Sequence, residues 1–286
     1  MKTFAAINVG SYEQTLKIYT ITKNSGIREV DWIRNRLDLG GTFATGKLSH
    51  EVMDELCAVL RNFVSIMEGY RVDDYRACAT SAIRETKNTA IVLDQIMQRT
   101  GVKLDVLSNS EQRFLDYKSI ASRGGFEKII EKGTLVLDIG GGSIQMSLFD
   151  KDKLSATQNM RLGVLRLQEK MSRLNVRPSE NGPLLEELLE AQLSVFRKMY
   201  LKDRVIENII VVDDYISALI LGKLGKVAGS GYLDRDSMAS YMNYLHDHTD
   251  MEIVRYFDTP EENVPLLRIS SAIVRQVALM TDAKMI

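Results

Sequence analysis

The run Leu135-Val136-Leu137-Asp138-Ile139-Gly140-Gly141-Gly142-Ser143-Ile144-Gln145 places a carboxylate and three glycines at the end of an apolar stretch. Such a stretch reads as a buried strand, and three residues without Cβ let backbone N–H groups approach an anion closely. Asp138, at the strand end, can hold a hydrated divalent cation or position a water. A weaker copy lies at the N-terminus. Phe4-Ala5-Ala6-Ile7-Asn8-Val9-Gly10-Ser11 is again an apolar strand, a short polar residue and a small-residue turn. The following Thr15–Ile21 alternates like the return strand of a hairpin. Two such phosphate-loop hairpins predict a duplicated domain, with Gly10, Ser11, Gly140, Gly141, Gly142 and Ser143 as the phosphate-binding residues.

Both loops need a scaffold, and the chain is long enough to supply one. Its 286 residues suit two domains of about 100–200 residues each. Net charge is −1 with 26% charged residues and no long run of one sign. That balance argues against a nucleic-acid footprint or a membrane-surface patch, so a polyanion must be met locally. The two cysteines, Cys57 and Cys78, lack metal-like spacing, and no leader or spanning stretch is visible, which predicts a reduced, cytoplasmic protein.

The spacing predicts an α/β fold. After the first hairpin, Val30–Leu39 alternates as a third strand, and Ser49–Met67 carries apolar residues at helical spacing behind an N-cap serine. Strands at Asp74–Thr80 and Lys103–Leu107 flank a helix at Thr89–Thr100, and a helix from Ser110 leads to Gly124-Gly125. The boundary is expected near residue 122, giving domains 1–122 and 123–286. In the second domain, strands at Leu135–Phe149, Asp152–Leu162 and Asn208–Val212 alternate with helices at Leu165–Leu174, Leu184–Leu201, Tyr215–Leu224, Ser237–Leu245 and Asn263–Leu279. Pro178 and Pro183 read as punctuation between helices. Ala283–Ile286 looks like the start of a strand, an expectation of a longer chain cut at that point.

Four ordered motifs resemble the exopolyphosphatase/guanosine pentaphosphate phosphatase (Ppx/GppA) family of the actin-like ATPase superfamily. Ala6–Ser11 is similar to its first phosphate loop, and Ala79-Thr80-Ser81-Ala82-Ile83-Arg84-Glu85 to its Ala-Thr-Ser-Ala-x-Arg block. Leu107-Ser108-Asn109-Ser110-Glu111 resembles its Ser-Gly-x-Glu block, and Asp138–Ser143 its second loop. Met160–Leu167 also looks like its Leu-Gly-x-x-Arg-Leu segment. The resemblance implies two actin-like (ribonuclease H-like) domains around a cleft and a hydrolase that releases terminal phosphate from inorganic polyphosphate or guanosine pentaphosphate. It further implies Mg²⁺ or Mn²⁺ at Asp138, Arg84 as a phosphate fork, Glu111 as a catalytic or metal-linked carboxylate, and a homodimer. Arg84 could instead pair with Glu85 or Asp116, and Glu111 could serve only as a helix-start carboxylate.

The loops depart from that pattern. The family continues its second loop with Thr-Glu, a glutamate thought to activate water; here Ile144-Gln145 follows. A glutamine can orient water but cannot take its proton. Asn8 replaces the usual aspartate, Glu13 adds charge at the first loop, and Asp213-Asp214-Tyr215 replaces a Gly-Gly-Thr turn. The Asp213-Asp214 pair reads either as a metal ligand or as a turn or helix cap. The alternative to hydrolysis is therefore an impaired homologue that binds or senses polyphosphate or guanosine polyphosphates. The Arg84 and Glu111 blocks argue against a sugar or acid kinase of the same superfamily.

Overall fold

The computed structural model describes residues 1–24, 26–122, 124–174, 178–213, 215 and 234–284. They form two compact units, Met1–Asp116 and Tyr117–Ile286, each built on one sheet.

In unit 1, β1 (Lys2–Val9), β2 (Glu13–Thr22) and β3 (Gly26–Arg36) form an antiparallel meander. β4 (Asp74–Ala79) and β5 (Leu104–Val106) extend it in parallel to β1, so the order is β3-β2-β1-β4-β5. The short helix α1 (Gly41–Thr45) precedes α2 (His50–Gly69). Ser49 caps α2 by accepting the Val52 N–H, and its apolar stripe of Met53, Leu56, Cys57, Leu60, Phe63 and Met67 is buried. That stripe packs with Ala5, Ile7 and Val9 of β1 and with Leu16 and Ile18 of β2, the period-2 inward faces of the two strands. After α3 (Ser81–Arg84), α4 (Thr89–Thr100) adds Val92 and Ile96 to this core and stops at Gly101 in the left-handed conformation. α5 (Asn109–Ser122) follows β5, and the division between the units falls within it.

Unit 2 repeats the plan. The short α6 (Phe126–Ile130) leads to β6 (Thr134–Ile139), β7 (Ile144–Asp150) and β8 (Lys153–Met160), an antiparallel meander, with β9 (Asn208–Asp213) parallel to β6. The order β8-β7-β6-β9 matches β3-β2-β1-β4 of unit 1. The expected duplication is thus visible in four strands of each sheet, β5 having no counterpart among the described residues. β6 and β7 are buried along almost their whole length, which is why they read as continuous apolar runs. Its further helices among the described residues are α7 (Val164–Leu174), α8 (Pro178–Phe196), α9 (Arg235–Asp247), α10 (Asp250–Phe257) and α11 (Val264–Leu279). α11, the most buried of these, packs against α7, α8, α9 and β9.

Several elements differ from the sequence expectation. α8 runs through Pro183 instead of breaking there. The proline lies in the second turn, so one backbone bond near the helix start is lost, while Leu185, Leu189, Leu193 and Phe196 keep the helix seated. The helix ends as a π turn over Arg197–Leu201. α10 was not expected, although Thr249-Asp250-Met251-Glu252 spells a capping box, and the structure shows both of its bonds. Ala283 and Lys284 are not in a strand. The helix expected at Tyr215–Leu224 lies outside the described residues apart from Tyr215, as does Asp214.

Candidate active site

In unit 2 the β6–β7 turn is closed by Gly140 N–H donating to the Ser143 carbonyl at 3.0 Å. Its remaining carbonyls are taken by the segment that enters α7. Val164 N–H donates to Gly140 O (3.0 Å), and Leu165 and Arg166 N–H donate to Gly141 O (3.0 and 3.2 Å). The Arg166 guanidinium Nε donates to Gly142 O at 2.8 Å. Gly163 packs so closely that a Cβ there would sit 2.3 Å from Gly142 C and Ser143 N. The first N–H groups of α7, often an anion site in their own right, are thus consumed in holding the loop. Gly141 and Gly142 are buried, yet among the described residues their own N–H groups have no acceptor. Buried backbone donors are rarely left unpaired, and peptide N–H groups without an acceptor are candidate partners for an oxyanion.

The strand register places three side chains in a row across sheet 2. Asp138 of β6 lies opposite Gln145 of β7, which lies opposite Asn159 of β8. The Asn159 amide donates to Ser143 Oγ at 3.2 Å. Gln145 is buried. Asp213, one carboxylate that could substitute for the missing glutamate, is not placed to do so. Asp213 aligns with Ile139, so it faces the opposite side of the sheet from Asp138. There it accepts from the Ser270 hydroxyl of α11 and from Tyr215 N–H, an arrangement that ties β9 to α11. Glu13 belongs to unit 1 and is held by the Arg34 guanidinium through both oxygens.

Unit 1 carries the corresponding row, Asn8, Thr15 and Arg34. Gly10 N–H donates to Glu13 O at 2.9 Å, and Leu39 N–H to Ser11 O at 2.7 Å. Gln14 donates its amide to the Gly10 and Leu37 carbonyls. Ser11 is buried and shares a 2.9 Å hydrogen bond with Ser81, which joins the first loop to the Ala-Thr-Ser-Ala-x-Arg block. Arg84, half-buried on α3, donates to the Leu107 carbonyl at 2.7 Å and to the Gln112 side chain at 3.4 Å. Burial pushes its pKa down, with Glu85 opposing. The next residue, Ser108, forms a reciprocal cap with Glu111. Ser108 N–H donates to the carboxylate (2.8 Å) and Glu111 N–H donates to the Ser108 hydroxyl (3.2 Å). Those bonds hold the exposed Glu111 carboxyl below its ordinary value.

In unit 1 the structure bonds Ser11 to the block that carries Arg84, and Arg84 to Leu107 beside the Ser108–Glu111 cap; in unit 2 Asp138, Gly140–Ser143 and Gln145 share the β6–β7 hairpin. Ser81, Asn159, Gly163 and Arg166 join them. Gly163 and Arg166 stand in the Leu-Gly-x-x-Arg-Leu segment, while Asn159 becomes visible only through strand register. Among the described residues there is no group of three or more His, Cys, Asp or Glu able to cage a metal. Asp138 with neighbouring amide oxygens suits Mg²⁺, which is commonly held by one or two carboxylates together with water and substrate phosphates.

This strand order, built around a glycine-rich turn in each unit, defines a protein of the actin-like ATPase fold. Residues 22–247 match the model of the Ppx/GppA phosphatase family, and the chain belongs to that family of hydrolases. It is 27% identical over 154 residues to exopolyphosphatase 1 of Mycobacterium leprae, covering 54% of this chain and 44% of that protein. It is 25% identical over 181 residues to the guanosine-5'-triphosphate,3'-diphosphate pyrophosphatase of Photobacterium profundum, covering 62% and 35%. The matched segments thus span less than half the length of these curated relatives. In fold it is similar to a crystal structure of an exopolyphosphatase from Cytophaga hutchinsonii, with TM-score 0.83, 18% identity, and coverage of 99% of this chain and 92% of that one. It is also similar to the Aquifex aeolicus Ppx/GppA family member, with TM-score 0.77, 19% identity, and coverage of 100% and 92%. Among the described residues no helix is long and apolar enough to cross a membrane.

Proposed function

We propose that this chain is a metal-dependent phosphohydrolase that releases terminal phosphate from inorganic polyphosphate or guanosine pentaphosphate. The observation that carries this reading is the pair of N–H groups at the buried Gly141 and Gly142, which have no acceptor among the described residues, in a loop whose carbonyls are already engaged. Phosphoryl transfer depends mainly on positioning and on charge compensation. The Gly141 and Gly142 amides and the Ser143 hydroxyl hold phosphate oxygens in unit 2, while Ser11 and Arg84 supply donors in unit 1; the Gly10 N–H is given to Glu13 O, so Gly10 shapes the first loop without donating to the phosphate. Asp138 would hold Mg²⁺ or Mn²⁺, which offsets charge on the phosphate oxygens when bound. Gln145 orients a water through its amide and leaves the proton to another acceptor.

A second reading is favoured by the row Asp138–Gln145–Asn159, which contains a single carboxylate. In that reading the loops bind the polyanion and turnover is slow or lost, leaving a sensor. Phosphate release from polyphosphate and from guanosine pentaphosphate, measured beside calorimetric binding on the same sample, separates the two. Turnover supports the hydrolase; tight binding without turnover supports the sensor. Absence of both overturns the proposal. Glu111→Gln resolves the remaining role, because glutamine preserves a capping box while removing the charge. Turnover lost in Glu111→Gln makes the carboxylate catalytic, and turnover retained assigns it to the cap.

A further inference from the structure

We propose that unit 2 carries a second ligand site, at the end of its sheet opposite the triple-glycine loop, for a small phosphorylated molecule of the nucleotide class. The site is a cavity of about 770 Å³ between the end of α8 and the end of α11, within the range of roughly 300–1,000 Å³ usual for small-molecule sites. One wall is the π turn, whose i→i+5 spacing is uncommon and recurs at functional positions. It brings Arg197, Lys198 and Lys202 to the cavity, and none of the three makes an ion pair among the described residues. Glu187, Glu190 and Asp282 line the same cavity and are equally without ion pairs. Along α8 the two carboxylates precede Arg197 and Lys198 by about two to three turns, so the cavity presents an anionic stretch and then a cationic one, with Asp282 beside them.

Two further features fit an anionic guest. One carbonyl in the last turn of α11, where partial negative charge would repel a phosphate, and two just beyond the helix are covered by Arg235. Its guanidinium donates to Ala278 O (3.3 Å), Thr281 O (3.0 Å) and Ala283 O (3.4 Å). The cavity is also remote from the loop. Arg204, on its rim, lies 3.7 Å from Asp150, the last residue of β7, whereas the glycine loop adjoins the first, Ile144. A strand of that length spans roughly 20 Å. Phosphates would sit on the π-turn cations, and the carboxylates would accept from amino, ring N–H or ribose hydroxyl groups. An inorganic phosphate chain offers no such donors and meets the carboxylates with repulsion.

The test is titration of the ¹⁵N-labelled full chain with ATP and, separately, with inorganic tripolyphosphate, reading amide shifts at Lys198–Lys202 and Thr281 independently of those at Gly141–Ser143. ATP should shift the first set, with at least tenfold weaker binding there in Arg197→Ala/Lys198→Ala/Lys202→Ala. Glu187→Gln/Glu190→Gln should narrow the preference for ATP over tripolyphosphate. Unchanged ATP binding at the π turn in the triple variant overturns the site. Tripolyphosphate binding there as tightly as ATP overturns the nucleotide class. Should the triple variant not fold, Lys198→Ala alone carries the same comparison, with a loss of at least about threefold expected and no loss refuting the site.

Discussion

Replacing Gly163 by alanine tests the loop clamp directly. Gly163 does not have a positive φ, so alanine meets no backbone restriction there and any effect comes from contact. The added Cβ would lie 2.3 Å from Gly142 C and Ser143 N and 2.4 Å from Gly141 C, all backbone atoms. Non-bonded carbons settle at about 3.5–4.0 Å, so the loop or the start of α7 must move by more than about 1 Å. Overpacking of this kind costs about 1–3 kcal/mol. The bonds from Val164 and Leu165 to the loop carbonyls contribute about 0.5–1.5 kcal/mol each and would lengthen. A loss of about 2–5 kcal/mol is expected, large against a total of about 5–15 kcal/mol. A displacement of about 1 Å in a positioning element also lowers turnover by about 100-fold. Urea unfolding gives the first quantity and phosphate release from polyphosphate the second. A Gly163→Ala protein with the wild-type unfolding midpoint and wild-type turnover refutes the clamp.

Gln145→Glu should raise phosphate release by tenfold or more, a threshold set below the roughly 10²–10⁴-fold that general acid–base catalysis contributes; an unchanged, vigorous rate would mean that another group already takes the proton. Ser11→Ala should destabilise unit 1 by about 1–3 kcal/mol, because Ser81 keeps a buried hydroxyl without its partner. Ser11→Ala/Ser81→Ala should recover part of that loss in urea unfolding, and full additivity of the two single changes would count against the pairing. Acid should loosen three helix starts together. Glu111, Asp234 and Glu252 each accept cap hydrogen bonds that lower their pKa below the ordinary 4.5, 3.8 and 4.5. A depressed folded pKa gives stability that is present above the unfolded pKa and lost as pH falls through the folded one. Amide exchange at the starts of α5, α9 and α10 should therefore accelerate, relative to the intrinsic rates, as pH drops below about 4; protection that stays flat between pH 5 and pH 3 contradicts the assignment.

The sequence made the scaffold legible where periodicity was strong. The apolar stripe of α2 and the paired hairpins needed only spacing, and Thr89–Thr100 begins and ends where its apolar pattern and Gly101 indicated. β3 was less visible because residues 26–29 are exposed and carry no alternating pattern, and a register shift at Ile18/Tyr19 breaks the pairing with β2. At the site, residue types identified the loops, but their orientation came from bonds between distant segments. No pattern within Gly140–Ser143 indicates that α7 takes its carbonyls. Asp213 shows the same limit: as a residue type it could replace a missing acid, and only strand parity reveals that it points to the far side of the sheet.

The loop held by α7 presents peptide N–H groups as its donors, and peptide groups do not titrate in the range where side chains do. On the proposed reading, the donor strength that these N–H groups offer an anion is the same in acid as at neutrality. Any pH dependence in ligand capture through Gly141 and Gly142 must come from the ionisation of the ligand or of neighbouring side chains, which makes this half of the site a fixed reference against which both can be measured.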